Sequence, residues 1–409
     1  MRSALLMPLM VLATSAPAQP YFREPEVAPV AILSPAIRSG SVEDDAGRAT
    51  LRATRALAGS ARWRQAIGYG DEATPAPIAD VAAATEQPVS PTATVAPTRM
   101  HSDRTRAVGA QRGLDPARAI MARIADPTTG PIVVAHRGCH AAAPLIERDS
   151  VPENSLAALA ECVAIGADVM ETDVRMTRDG HLVMIHDATV DRTTDGHGRV
   201  ADMTLADIRA LHLRDDLGGP GARLTGARVS TLAEMLDAAA GRIVLNLDIK
   251  DAVHAETIAA VLKAGAQDRI LVKATAGIGS PPLAALPPFA RVPFLPMLSG
   301  GEELPQVIAR QAQGRIRPLG YEIPRMSLAM LAPTVTAARA AHGRLWANTL
   351  WDGFVAGVGG DEDALRDPDR VWGRLIRAGV SMLQTDHPSE LKRFVETHPA
   401  LSSGTTADR

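Results

Sequence analysis

The stretch DVMETDVRMTRDGHLVMIHD, residues 168–187, decides how the chain folds. It holds two apolar runs, DVMETDV and HLVMIHD, with TRDG at the bend between them. Parallel neighbours need a crossover of a dozen residues or more, so the second run must return antiparallel to the first as a hairpin. Setting that run aside leaves eight strand segments: IVVAHRG (132–138), DVMETDV (168–174), RIVLNLDIK (242–250), RILVKA (269–274), RVPFLPML (291–298), PLGYEI (318–323), RLWANTL (344–350) and SMLQTD (381–386). Helical periodicity fills most of the gaps, in SLAALAECVAIG (155–166), AVHAETIAAVLKAG (252–265), LPQVIARQA (304–312), LAMLAPTVTAARAAHG (328–343) and RVWGRLIRAG (370–379). Eight βα units over residues 131–395 predict an α/β fold, a (β/α)8 TIM barrel, whose usual size is about 250 residues.

Working outward, residues 188–229 follow the hairpin and are polar, Gly-rich and only briefly helical. That is too long for a simple loop, and it follows a strand end, the side on which barrel active sites are built; a small insertion capping the mouth is expected. The barrel is expected over 114–397, with a disordered tail over 398–409. Upstream, residues 1–18 (MRSALLMPLMVLATSAPA) carry one Arg, an apolar stretch and a small-residue cleavage pattern, so a signal peptide and a periplasmic or secreted protein are expected. Residues 19–113, rich in Ala, Pro, Arg, Thr and Ser, read as a low-complexity, disordered leader. Within it LRATRALAGSARWRQAIG (51–68) reads as a transient helix, with a basic amphipathic helix that touches anionic surfaces as the alternative. No later run reaches the roughly 20 apolar residues of a membrane span.

The 409 residues carry a net charge of −3, with 4 Trp, 3 Tyr and 5 Phe. Neither a basic footprint nor an aromatic stacking platform is present, which argues against a nucleic-acid partner. Two cysteines, Cys139 and Cys162, exclude a disulfide scaffold or a cysteine-rich zinc module. They are expected to be unremarkable thiols, although an oxidising compartment would let them pair if their β-carbons approach.

Acidic, basic and histidine residues cluster where strands end. The first strand ends in His136-Arg137-Gly138, the second carries Glu171 and Asp173, the hairpin ends in His186-Asp187, and the third ends in Asp248-Ile249-Lys250. Glu171 and Asp173 are two apart on an extended segment, so both leave the same face. Like charges crowded into a barrel mouth lose solvation and repel, and with Asp248 they form three carboxylates suited to Ca²⁺ or Mg²⁺. His136 and His186 suit proton transfer, and Arg137 and Lys250 are fixed cations for an anionic substrate. PENS (152–155) has the composition of a helix start. GHGRVA follows a hairpin rather than opening a βαβ unit, so it does not indicate a dinucleotide site. HRGCH offers His136, Cys139 and His140, but no second ligand cluster of fitting spacing supports zinc.

At these residues the chain resembles the glycerophosphodiester phosphodiesterase family. The matching pieces run in order: AHRG (135–138), PENS, ETDV (171–174) with TRDG, VMIHD (183–187), DRTTDGHGRV (191–200), VSTLAEML (229–236), LDIK (247–250) and LQTDHP (383–388). The resemblance covers roughly 116–395. It implies metal-assisted hydrolysis of small-molecule glycerophosphodiesters to glycerol 3-phosphate and an alcohol. His136 and His186 would be the catalytic pair, Glu171, Asp173 and Asp248 the ligands of a divalent metal, and Arg137, Glu153 and Lys250 the substrate contacts. The family commonly has Glu where this chain has Asp248, and its WTVN-like strand appears here as the partial match WANT (346–349). Related barrel phospholipases D, which resemble this pattern with Asp there, keep a lysophospholipid hydrolase as the alternative; a non-catalytic phosphodiester-binding envelope protein is another.

Overall fold

Alternation along the strands explains both the barrel and what fills it. The computed structural model describes residues 115–402. The expected signal peptide (1–18), the expected leader (19–113) with its 51–68 stretch, and residues 403–409 lie outside them.

The elements begin α1 (Pro116–Ala125), β1 (Ile132–Ala135), α2 (Leu156–Ile165), β2 (Val169–Met176), β3 (Leu182–Met184), α3 (Leu205–Ala210), β4 (His212–Arg214) and β5 (Leu224–Arg228). There follow α4 (Leu232–Ala238), β6 (Val244–Ile249), α5 (His254–Lys263), β7 (Ile270–Ala276), β8 (Phe294–Leu298), α6 (Leu304–Gln311), β9 (Gly320–Ile323) and the two-residue β10 (Met326–Ser327). The last are α7 (Leu328–Ala340), β11 (Arg344–Asn348), β12 (Val355–Ala356), α8 (Asp361–Arg366), α9 (Arg374–Ala378), β13 (Met382–Thr385), α10 (Pro388–Thr397) and α11 (Pro399–Ser402).

Eight parallel strands run β1-β2-β6-β7-β8-β9-β11-β13 around the barrel, and the β1–β13 and β1–β2 pairings close it. The short return β3 pairs antiparallel with β2, Val174 opposite Met184, as the four-residue spacing requires.

Register then sorts side chains into layers. Val169 faces Val244, Glu171 faces Asn246 and Asp173 faces Asp248 across β2 and β6. Ile132, Val134, Val169, Val244, Leu271, Leu295, Trp346 and Met382 form an apolar floor inside the barrel. Two residues further along the same strands come Glu171, Asn246, Lys273 and Gln384, all buried, and the next step reaches Asp173, Asp248 and Asp386. With a period of two, the strands that build the apolar floor must deliver their polar residues to the C-terminal mouth.

Helix α1 plugs the opposite end. Ala117 and Ile124 belong to the apolar floor. The fully buried Arg344 donates to the carbonyls of Ile124 (3.1 Å), Arg123 (2.7 Å) and Asp126 (2.8 Å), satisfying the orphan acceptors at the α1 C-terminus. Arg123 pairs with Asp168 at 2.6 Å, and Asp168 also accepts from the Val133 N–H at 2.9 Å.

Residues 188–229 build a small layer with its own core of Val190, Val200, Ile208 and Leu213 against Val183 and Ile185 of the hairpin. It stands beside the mouth: the Glu153 N–H donates to the Asp216 carbonyl at 3.0 Å and the Ser150 hydroxyl to Asp215 at 2.9 Å.

Two expectations change. Cys139 and Cys162 are joined in a disulfide, with Cα atoms 5.0 Å apart, because α2 packs directly over the turn that follows β1. The tail does not begin at 398: residues 399–402 form a helical turn, and Leu401 packs against the main core. Among the described residues no helix is long and apolar enough to cross a membrane.

Candidate functional site

The turn after β1 places the first histidine. Arg137 and Gly138 both adopt left-handed backbone, at φ 53° and 88°. A β-carbon on Gly138 would sit 2.7 Å from the Ala158 Cβ and 2.9 Å from the Met170 Cε, so only glycine fits beneath α2. His136 keeps its backbone N–H on the Thr385 carbonyl (3.1 Å), and its Nδ1 lies 2.7 Å from Asp386 Oδ1. The Asp386 backbone N–H is itself held by Asp361 at 2.8 Å.

PENS caps a helix and does more. The Ser155 hydroxyl accepts from the Ala158 N–H at 3.0 Å, starting α2. Asn154, in left-handed backbone at φ 54°, donates its amide to Asp173 Oδ2 (2.8 Å) and accepts from the Asp173 N–H (2.8 Å) and the Thr172 hydroxyl (2.7 Å). One side chain thereby fixes the backbone and carboxylate of Asp173.

Glu171, Asp173 and Asp248 bring one oxygen each within 4.8 Å of one another. Glu171 also accepts from the Arg137 N–H at 2.9 Å. Two ammonium groups counter the trio. Lys250 lies 3.1 Å from Asp173 and 3.0 Å from Asp248. Lys273, 4.9 Å above the Trp346 ring, lies 3.9 Å from Glu171, 3.7 Å from Asp248 and 2.9 Å from Glu322. Even so, burial and then Asp173 push the Glu171 carboxyl well above its ordinary range, the mark of negative charge still short of a counter-ion. Against the cost of burial, Lys250, His186 and Arg137 hold Asp173 well below that range. A hard cation suits such a set of oxygen donors.

The second histidine is tied in the same way as the first. His186 Nδ1 lies 2.7 Å from Asp187 Oδ1, and Arg192 of the insertion grips Asp187 at 2.7 Å. Both carboxylate partners are held far below their ordinary range, despite burial, by histidine contacts and, for Asp187, by Arg192. They are therefore acceptors only, so Nδ1 of each ring donates, and the Nε2 of a neutral His136 keeps its lone pair. Burial outweighs Asp386 and depresses His136 to about 4; it also lowers His186.

All eight residues picked out from the sequence line this mouth or its wall. Glu153 is 2% exposed and clamped by Arg137 at 3.1 Å and by both Arg192 nitrogens at 2.9 Å, which makes it the brace of two arginines. Sequence reading missed Asp386, Lys273, Arg192, Asn154 and His140 as parts of the site. LQTDHP, PENS, DRTTDGHGRV and HRGCH contained four of them; nothing local marks the pairings, which span up to 250 residues.

Comparisons with known proteins place this architecture. A family model described as the glycerophosphoryl diester phosphodiesterase family matches residues 136–279, and a model described only as a domain of unknown function matches 294–395. A glycerophosphodiester phosphodiesterase of Caldanaerobacter subterraneus is 41% identical over 124 residues, covering 30% of this chain and 46% of its own. Glycerophosphodiester phosphodiesterase 1 of Homo sapiens is 37% identical over 130 residues, 30% of this chain and 35% of its own. The chain thus spans less than half the length of these relatives. A crystal structure of a glycerophosphoryl diester phosphodiesterase from Parabacteroides distasonis aligns over 69% of this chain and 92% of its own, with a TM-score of 0.53 at 18% identity, and shares the fold.

Proposed function

We propose that this member of the glycerophosphoryl diester phosphodiesterase family hydrolyses glycerophosphodiesters to glycerol 3-phosphate and an alcohol, with a divalent cation, Ca²⁺ or Mg²⁺, held by Glu171, Asp173 and Asp248. The observation that carries the reading is the pair of imidazoles, each backed by a carboxylate at 2.7 Å, at the mouth that also gathers the acidic trio.

The cation, when bound, draws negative charge off the phosphoryl oxygens. The chain's own groups do the rest. Arg137 and Lys250 supply fixed positive potential for the anionic diester, with Glu153 holding Arg137 in place. His136 is the better base, because burial keeps it neutral and Asp386 holds the proton on Nδ1, leaving Nε2 to take a proton from the nucleophile. That nucleophile is either the adjacent glycerol hydroxyl, giving a cyclic phosphate that water then opens, or water itself. His186 faces Asp173, and an arriving phosphodiester anion raises its affinity for a proton, so it suits the acid that protonates the departing alkoxide.

The disulfide, together with the leader sequence, supports an oxidising, extracytoplasmic location. The test of the hydrolase reading is a panel of glycerophosphodiesters assayed with EDTA and then with Ca²⁺ or Mg²⁺. Loss and rescue of turnover are expected; undiminished turnover in EDTA refutes the metal assignment. Including lysophosphatidylcholine beside glycerophosphocholine separates the lysophospholipid alternative, and phosphorus NMR shows whether a cyclic phosphate accumulates.

A further inference from the structure

Behind His136 the structure holds a second group of metal-ligating side chains. His140 Nε2 lies 3.1 Å from Asp386 Oδ1, the same oxygen that His136 Nδ1 reaches at 2.7 Å. The two nitrogens and a carboxylate oxygen all fall within 4.8 Å of one another. We propose that His136, His140 and Asp386 form a second metal site, selective for Zn²⁺-class transition ions, whose occupation switches the hydrolase off.

Three features point this way. The donor set is two imidazoles and one carboxylate, which favours Zn²⁺ and its neighbours over Ca²⁺ or Mg²⁺, whereas the all-oxygen trio at the mouth favours the hard ions. The ligands are also held in position from behind. His140 Nδ1 lies 2.6 Å from Asp216 Oδ1, the carboxylate-behind-histidine arrangement that orients metal-binding imidazoles. The Asp386 backbone is fixed by Asp361, and the turn carrying both histidines is anchored by the Cys139–Cys162 disulfide. Finally, the group opens towards the mouth, since the Asp386 side chain is 16% exposed. Cys139, the ligand that HRGCH offers, is consumed by the disulfide; the third ligand is the residue just after β13, 246 residues beyond His140.

Occupation stops catalysis through the tautomer, an outcome that rests on the hydrolase reading above. With Asp386 accepting from Nδ1–H, His136 presents a bare Nε2. A metal on Nδ1 takes that lone pair, moves the ring proton to Nε2, and leaves His136 with nothing to accept a proton from the nucleophile. At His140 the ion takes the place of the proton shared with Asp386, which departs to solvent.

The test uses the full chain, stripped with EDTA and saturated with Mg²⁺. One equivalent of Co²⁺ should bind with the visible absorption of low-coordinate, nitrogen-ligated Co²⁺, and Zn²⁺ should displace it and suppress turnover at least about tenfold. In His140→Gln, which keeps a donor for Asp386, the Co²⁺ absorption should vanish and the inhibitory Zn²⁺ concentration should rise at least about tenfold. In Asp216→Asn, Co²⁺ affinity should fall roughly 10–100-fold, the usual effect of losing an outer-shell carboxylate. Glu171→Gln should keep the Co²⁺ signal. Unchanged Co²⁺ absorption or unchanged Zn²⁺ sensitivity in His140→Gln, with native melting behaviour, overturns the site. Co²⁺ binding lost in His140→Gln, in a protein that hydrolyses no glycerophosphodiester, supports the site and overturns only the hydrolase reading.

Discussion

At the residue, the centre depends on how each imidazole is held. Burial drives the His136 pKa down to about 4 from 6.5, and Asp386 only partly opposes it. The base is therefore present above about 4 and lost below it. We expect kcat/KM to show no acid limb as pH falls from 7 to about 5 and to decline only as it approaches 4, whereas an unperturbed imidazole base would cut activity from about 6.5. A pH–rate profile with its acid limb near 6.5 would contradict this. Asp386→Asn removes the charge that raises the His136 value and lets the ring choose the wrong tautomer; kcat should fall by roughly a hundredfold or more. Gly138→Ala asks for a β-carbon where Ala158 and Met170 already stand, at a backbone angle that L side chains avoid. It should cost about 1–3 kcal/mol in urea unfolding and reduce kcat by shifting His136. His136, Glu171, Asp173 and His186 could be found from the sequence because each ends or lines a strand in a short recognisable string. Asp386 and Lys273 could not be placed beside them, because each reaches its partners only after the barrel closes.

At the level of elements, strand identity was written in alternation, and the hairpin in the four residues of its turn; both stand as expected. The plug α1 was not. PARAIMARIA is amphipathic, but its apolar stripe joins a cluster with inward-facing residues of seven strands that lie far apart in sequence, so only closure of the barrel reveals what it covers. Its removal should matter more for stability than for chemistry, since it lies at the end opposite the carboxylates. Ile124 is fully buried against the apolar floor, and Ile124→Ala should cost about 2–5 kcal/mol by denaturant unfolding while kcat per folded molecule stays near wild type. A large loss of kcat with unchanged stability would show that the plug communicates with the mouth, contrary to this division. The insertion divides the other way. Its few apolar residues make a modest core, yet it supplies Arg192 to Glu153 and Asp187, and Asp216 to His140, so it serves the site as much as the fold.

For the molecule as a whole, the disulfide is the one covalent tie among the described residues, and its place decides what breaking it does. It spans 23 positions and joins the turn between His136 and His140 to α2. A closed loop of that length restricts the unfolded chain by an amount worth about 3 kcal/mol in the entropy model. Spacing alone could not reveal it, because the approach of the two β-carbons follows from α2 lying across β1. In the folded state the segment also has noncovalent holds: the His136 N–H on Thr385, the Asn154 N–H on the Arg137 carbonyl and the Val151 N–H on the His140 carbonyl. Reduction should therefore lower stability far more than it disturbs the resting geometry. Dithiothreitol, or Cys162→Ser, should reduce unfolding free energy by about 2–4 kcal/mol while most turnover survives at temperatures where the protein stays folded. Equal urea midpoints for the oxidised and reduced protein would mean the bridge adds nothing that those hydrogen bonds do not already supply. Loss of turnover without loss of stability would mean that it holds His136 in place directly.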